Sequence, residues 1–195
     1  LLGLVGSEMC IRDRIRGFIE GFYNRKPKKN DYGFENSNIT HYIYAPKEDS
    51  YIRQKWRLKD KSLEARSIPK NIAQVYTLSP GADFNRKSKK DFNFLLSKFN
   101  FAIDKGFSEV GLLFDDIDIN NIGIESDDKD LGKFHGELIS EVTTKLGLSN
   151  GWFCPSIYCE SFSKKGIQND KYLEGVSETI NNCLLYTSPS PRDLA

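Results

Sequence analysis

The stretch EVGLLFDDID, from Glu109 to Asp118, decides the fold class. It begins as a near-continuous apolar run, which is typical of a strand buried on both faces in a parallel sheet. The run ends in Asp115 and Asp116, with Asp118 close behind. Because mutual repulsion and desolvation oppose three carboxylates at the exit of a buried strand, a functional reason is expected. Either a cation binds there, or the site needs carboxylates in different protonation states.

Strands and helices alternate around this stretch. Five strands are predicted, at Ile15–Glu20, His41–Ala45, Ala73–Leu78, Glu109–Phe114 and Trp152–Ile157. Four helices, the first of them short, are predicted at Tyr51–Lys59, Lys89–Lys105, Asp130–Leu146 and Tyr172–Ile180. This alternation indicates an α/β fold with parallel strands.

Polar or turn residues follow several predicted strands at their carboxyl ends. They are Gly21, Lys47, Asp115, Asp116 and Tyr158. A (β/α)8 barrel has its active site on that face, and an open doubly wound sheet also binds ligands at carboxyl strand ends. No Gly-x-Gly-x-x-Gly follows the first strand, which disfavours a dinucleotide site.

The composition is that of an ordinary soluble globular protein. The chain has 195 residues, of which 38% are hydrophobic and 28% charged, and its net charge is +1. This balance gives no electrostatic reason to predict a nucleic-acid or membrane partner. No apolar run reaches the roughly 20 residues that span a bilayer. Localisation and oligomeric state stay open at this level.

The two ends of the chain differ from the rest. Residues 1–14 (LLGLVGSEMCIRDR) and 183–195 (CLLYTSPSPRDLA) resemble conceptual translations of sequencing-adapter DNA and are set aside as artefacts. The alternative for the first segment is the end of a secretory signal, but it lacks a proper apolar core and a small-residue cleavage site. The remaining residues 15–182 are expected to be one partial domain. Their Cys154 and Cys159 are predicted to be buried free thiols.

The three aspartates alone leave several possibilities open. Asp116-Ile117-Asp118 fits an Asp-x-Asp site for Mg or Mn, as in metal-dependent glycosyltransferases. Two neighbouring carboxyl groups with different pKa values also fit the requirement of glycoside hydrolysis. A solvated loop or a helix N-cap is the structural alternative, because aspartate is common at both.

Six blocks of the sequence carry a resemblance to a known family. FIEGFYNR, YIYAPKED, RQKWR, YTLSPGADF, LLFDDID and FCPSIYC occur in this order between Phe18 and Cys159. Together they resemble the catalytic domain of glycoside hydrolase family 84, the O-GlcNAcase-like and hyaluronidase-type β-N-acetylglucosaminidases. The resemblance implies a (β/α)8 TIM barrel, truncated here to about its first five strands.

The resemblance also implies a mechanism and a catalytic pair, Asp115 and Asp116. In that family the substrate's own 2-acetamido oxygen attacks C1 and forms an oxazoline, so the anomeric configuration is retained. Asp115 would orient the acetamido N–H, and Asp116 would protonate the leaving oxygen and then activate water. Adjacent strand residues face opposite sides, so both can face one pocket only if the strand has ended by Asp115. A loop conformation is therefore predicted there.

Further residues are assigned to the substrate by the same resemblance. Gly21, Lys47 and Tyr158 match positions that contact the sugar, and Asp118 is expected to support the pocket. The substrate implied is a glycan or glycoprotein that bears N-acetylglucosamine, and no metal or cofactor is implied.

The sequence departs from the family pattern in places. Asn24 stands where the family has glycine, and Ile157 stands where it has glutamate. The family's later sugar-binding residues are expected on strands beyond Asn182, so a closed barrel is not expected from this chain by itself. Two alternatives to the hydrolase stay open: an Asp-x-Asp, Mn-dependent glycosyltransferase and a non-catalytic carbohydrate-binding barrel.

Overall fold

The chain forms a single parallel sheet in a computed structural model that describes residues 17–20, 38–80, 83–115, 128–158, 162–163, 166–180 and 183–185. Its six strands are β1 (Gly17–Glu20), β2 (His41–Tyr44), β3 (Ala73–Leu78), β4 (Glu109–Leu113), β5 (Gly151–Cys154) and β6 (Cys183–Leu185). All neighbouring strands are parallel, and they lie in the sheet in their order along the chain. The α/β prediction is confirmed. This consecutive order favours a barrel wall over a doubly wound sheet, whose strand order reverses.

Helices lie between the later strands, close to their predicted bounds. They are α1 (Lys89–Asp104), α2 (Asp128–Leu146) and α3 (Lys171–Thr179). The Ser88 side chain caps α1 by accepting the Asp91 N–H, and the Asp170 side chain caps α3 by accepting the Leu173 N–H. Gly106, at φ +100°, takes the left-handed conformation that follows many helix ends.

The segment after β2 differs from its prediction. A helix was expected at Tyr51–Lys59, but the chain forms consecutive turns there. The Lys55 amide donates to the Ser50 carbonyl at 2.7 Å, and the Trp56 amide donates to the Arg53 carbonyl at 3.1 Å. These hydrogen bonds span five and three residues rather than the four of an α-helix. The helix prediction is therefore wrong at this segment.

The last two strands also differ from the prediction. β5 ends at Cys154 rather than at the predicted Ile157, because Pro155 has no N–H to continue the ladder. β6 pairs with β5 and is a strand that the sequence did not predict. It lies within residues 183–195, which were interpreted as adapter-derived. That interpretation remains a prediction.

Both faces of the sheet are buried along β2 to β5, as their apolar residues predict. The face toward the helices carries Leu112 and Phe114, which pack into the main core with α1, α2 and α3. The opposite face carries a second cluster, called here the inner cluster, formed by Ile43, Ala45, Val75, Leu113, Trp152 and Cys154. Because helices surround the outside of a (β/α)8 barrel, the inner cluster faces the barrel interior.

Helices α2 and α3 pack with their backbones in close approach. A Cβ at Gly132 would lie 2.0 Å from the Tyr172 carbonyl oxygen, and one at Gly175 would lie 2.0 Å from the Lys129 carbonyl oxygen. The Lys129 Nζ also forms an ion pair with Glu174 Oε1 at 2.6 Å. Only glycine leaves room for this contact, which fixes how the two helices face each other.

Candidate active site

Three of the predicted site residues lie just past strand ends at one edge of the sheet. Lys47 follows β2, Asp115 follows β4 and Tyr158 follows β5. Because all the strands are parallel, their carboxyl ends share that edge. In a (β/α)8 barrel this edge is the face that carries the active site.

Asp115 lies immediately beyond the ordered ladder of β4. The strand ends at Leu113, and the Phe114 amide donates to the Cys154 carbonyl at 2.9 Å. Asp115 itself is in a turn and is half-buried, so the loop conformation predicted there is confirmed. Leu113 belongs to the inner cluster and Phe114 to the helix side. Asp115 follows in the turn, where the alternation of the strand has ended.

Tyr158 and Lys47 differ in their surroundings. Tyr158 is half-buried and packs against the inner cluster. Its ring lies 5.0 Å from the ring of Phe162, which is 52% exposed. Lys47 is exposed in the turn that follows Pro46. The structure thus places Asp115, Tyr158 and Lys47 at one edge of the sheet, and Tyr158 packs on its inner side.

The remaining predicted site residues lie outside the described part of the chain. These are Gly21, Asp116 and Asp118. Their assigned roles stay predictions. Within the described residues, no three His, Cys, Asp or Glu side chains are grouped to hold a metal ion.

Two buried side chains behind the site were missed by the sequence analysis. The His135 imidazole stacks on the Phe114 ring, with centroids 3.8 Å apart. Its Nδ1 lies 2.9 Å from Tyr172 Oη, which accepts the Ser156 N–H at 3.1 Å. Burial lowers the pKa of His135 to about 3, so the imidazole is neutral. The available signal was a histidine four residues after Leu131, on the apolar stripe of α2.

A second missed feature anchors the loop between β3 and α1. Trp56 Nε1 donates to Asp83 Oδ1 at 2.8 Å, and Arg57 Nη1 reaches Asp83 Oδ2 at 2.5 Å. These contacts join the blocks RQKWR and YTLSPGADF, which the sequence places far apart. The loop is thereby held at the carboxyl edge of the sheet.

The amino edge of the inner face carries a separate polar group. His41 Nε2 lies 3.6 Å from Glu109 Oε1, and Trp152 Nε1 donates to Glu109 Oε2 at 2.5 Å. Burial opposes ionisation of Glu109, but the hydrogen bonds from His41 and Trp152 outweigh it and lower the pKa of this carboxyl. Because this edge of a barrel is associated with stability rather than catalysis, the group is structural.

The comparison with protein families decides the identity. The family model described as beta-N-acetylglucosaminidase matches residues 16–184. The chain belongs to the β-N-acetylglucosaminidase family. Protein O-GlcNAcase of Mus musculus is 28% identical over 194 residues, which cover 91% of this chain and 21% of the relative. Protein O-GlcNAcase of Rattus norvegicus is 29% identical over 192 residues, which cover 90% and 21%. The chain spans about a fifth of the length of these relatives.

Solved structures show the fold of this family. A mutant O-GlcNAc hydrolase of Thermobaculum terrenum superposes with a TM-score of 0.65 at 20% identity, covering 88% of this chain and 40% of that one. The protein called CpGH84B gives a TM-score of 0.67 at 21% identity, covering 88% and 33%. The predicted family-84 resemblance and the TIM-barrel fold class are confirmed. No described helix is long and apolar enough to cross a membrane.

Proposed function

We propose that this chain is part of a retaining glycoside hydrolase that removes terminal β-linked N-acetylglucosamine from a glycan or glycoprotein. The observation that carries the proposal is Asp115, half-buried in the turn just past β4, in a chain of this family. Asp116 supplies a second carboxyl group beside it. Two acids kept in different protonation states are what glycoside hydrolysis requires.

The first step forms an oxazoline from the substrate itself. The 2-acetamido oxygen attacks C1 while the bond from C1 to the leaving oxygen breaks. Asp116, in its protonated form, donates its proton to that leaving oxygen. Asp115, as a carboxylate, accepts a hydrogen bond from the acetamido N–H and stabilises the positive charge on the oxazolinium ring.

The second step returns the site to its starting state. Asp116, now a carboxylate, takes a proton from a water molecule whose oxygen attacks C1 and opens the oxazoline. One residue serves both steps because the second is chemically the reverse of the first. Each step inverts C1, so the β configuration is retained. These two reaction steps use no metal and no cofactor.

The other site residues are assigned to substrate binding. Tyr158, which packs on the inner cluster, is assigned to the acetamido group that Asp115 orients. Lys47, at the same edge, binds sugar hydroxyl groups. Gly21 lets the backbone approach the sugar, and Asp118 supports the pocket by charge or hydrogen bonding.

The test is hydrolysis of an aryl β-N-acetylglucosaminide. It is run on the 195-residue chain and on the protein encoded by the longest reading frame. That reading frame is recovered by resequencing the transcript across both ends of the present sequence. We expect release of the aryl alcohol, with the β anomer of N-acetylglucosamine formed first by proton NMR and activity unchanged by a chelator. First release of the α anomer would contradict the retaining mechanism.

The same assay distinguishes the two alternatives. Activity that needs Mn²⁺ and transfers sugar from a nucleotide donor would identify a glycosyltransferase. If the protein encoded by the longest reading frame binds N-acetylglucosamine without turnover, it is a carbohydrate-binding barrel. The retained Asp115 and Asp116 argue against that binder, because binding alone does not need an acid pair.

A further inference from the structure

The exits of β4 and β5 each rest on a buried side chain. Phe114, the residue before Asp115, stacks on the His135 imidazole with ring centroids 3.8 Å apart and planes 10° apart. Ser156, which precedes Tyr158 in the β5 exit, donates its N–H to Tyr172 Oη at 3.1 Å. Each exit is thus held from the helix side of the sheet.

The two anchoring side chains are bonded to each other. Tyr172 Oη lies 2.9 Å from His135 Nδ1, and both side chains are 3% exposed. Because Oη already accepts the Ser156 N–H, its own hydrogen is available to donate to His135 Nδ1. Ser156 therefore donates to Tyr172, and Tyr172 donates to the neutral imidazole of His135.

This bond depends on the close approach of two helices. His135 lies on α2 and Tyr172 on α3, and the backbone of Tyr172 itself passes over Gly132. The ion pair between Lys129 and Glu174 connects the same two helices at the surface. The helix pair thereby holds the two anchors at one fixed separation.

We propose that His135 and Tyr172 are positioning residues for the proposed reaction, and that they fix the exits of β4 and β5 relative to each other. Asp115 then keeps its place against an acetamido group held beside Tyr158. This inference rests on the proposed function. It adds to that function a means of setting the distance between two site residues that follow different strands. A displacement of about 1 Å in an active site can lower a rate by roughly a hundredfold.

The first test measures kcat and KM of Tyr172→Phe in the protein encoded by the longest reading frame. We expect kcat to fall roughly 10- to 100-fold while KM changes little, because Asp115 acts on charge that develops in the transition state. The matched control is Tyr76→Phe, which removes another buried hydroxyl from the helix side of the sheet and should leave kcat unchanged. Equal kcat in wild type and Tyr172→Phe would overturn the proposal.

A pair of substitutions at His135 separates the hydrogen bond from packing. Asparagine presents an amide oxygen near the place of Nδ1, whereas leucine fills the space without an acceptor. We expect the kcat of His135→Asn to be roughly tenfold higher than that of His135→Leu. The urea unfolding midpoint of each variant is measured beside its kcat, so that a loss of stability is not mistaken for a loss of positioning. Equal losses would contradict a role for the Tyr172 hydrogen bond.

Amide hydrogen exchange tests the same inference without activity. In Tyr172→Phe the Ser156 amide should exchange at least about tenfold faster, while the Phe99 amide in α1 should be unchanged. A wild-type protein without hydrolase activity would refute the proposed function, and the exchange rates would still test the anchor. Unchanged exchange at Ser156 would refute the anchor even in an active enzyme.

Discussion

Arg57 and Asp91 form a two-pronged ion pair between the segment after β2 and the first turn of α1. Arg57 Nε donates to Asp91 Oδ1 at 3.0 Å, and Nη2 donates to Oδ2 at 2.7 Å. The hydrogen bonds from Arg57 hold the pKa of Asp91 below its ordinary value. The same guanidinium contacts Asp83 in the β3–α1 loop, so one side chain connects three segments near the proposed site.

Arg57→Lys should destabilise the chain although it keeps the charge. A lysine cannot donate two parallel hydrogen bonds to one carboxylate and reach Asp83 as well. We expect a loss of about 1–3 kcal/mol in the free energy of unfolding, measured by urea titration. Arg86→Lys, at an exposed position of the same loop, is the control and should change stability by less than about 0.5 kcal/mol. Equal effects at both positions would contradict the anchoring role.

Gly175→Ala should also destabilise, against the intrinsic preference of a helix. Alanine is favoured over glycine in a helix by about 1 kcal/mol. Here the new Cβ would lie 2.0 Å from the Lys129 carbonyl oxygen, so α3 must move away from α2. We expect a net loss of about 1–3 kcal/mol by urea unfolding. Ser177→Ala, on the exposed side of α3, is the control. A gain in the free energy of unfolding for Gly175→Ala would show that α2 and α3 lie farther apart than this contact implies.

Tyr76→Phe should stabilise the fold. Tyr76 is fully buried, and its Oη has no hydrogen-bond partner among the described residues. Removal of the hydroxyl ends its desolvation cost, so unfolding should require about 1 kcal/mol more. Tyr172→Phe is the matched comparison, because its hydroxyl makes two hydrogen bonds and its loss should destabilise. The same sign of change in both variants would contradict this account.

Acid should weaken the fold through His135. Burial lowers the pKa of this imidazole from 6.5 to about 3 in the folded chain. Between these values the unfolded chain binds a proton that the folded chain does not, so stability falls as pH drops from 6.5 toward 3. The slope from this residue approaches about 1.4 kcal/mol per pH unit. The free energy of unfolding, measured by urea titration from pH 7 to pH 4, should fall less steeply with decreasing pH in His135→Asn than in wild type. Equal slopes in the two proteins would refute the assignment to His135.

The sequence predicts those parts of the fold that depend on local pattern. The apolar run of β4 and the helical spacing in α1 and α2 identify these elements close to their bounds. Strand exits also predict which edge carries Lys47, Asp115 and Tyr158, because parallel strands end together. The turns after β2 were mistaken for a helix, since buried Trp56 and its neighbours give a similar pattern in both structures.

The contacts that stabilise the candidate site could not be predicted in this way. Arg57 and Asp91 are 34 residues apart, and His135 and Tyr172 are 37 apart. A single sequence holds no periodic signal for such pairs, because they form only once helices and loops pack on the sheet. The glycines of α2 and α3 were the available clue, but small residues at helical spacing do not say which helix they face.

Asp116→Asn should slow hydrolysis most for substrates with poor leaving groups. Asparagine cannot donate a proton to the leaving oxygen, and an alkyl alcohol departs only when it is protonated, whereas dinitrophenolate departs unaided. We expect kcat/KM to fall by roughly 10²–10⁴ for a methyl or peptide glycoside and by much less for the dinitrophenyl glycoside. The matched variant is Asp115→Asn, which removes charge stabilisation from every substrate and should lower all rates by a similar factor. Equal losses across leaving groups in Asp116→Asn would assign the proton transfer to another residue, since only a proton donor makes the loss depend on the basicity of the departing oxygen.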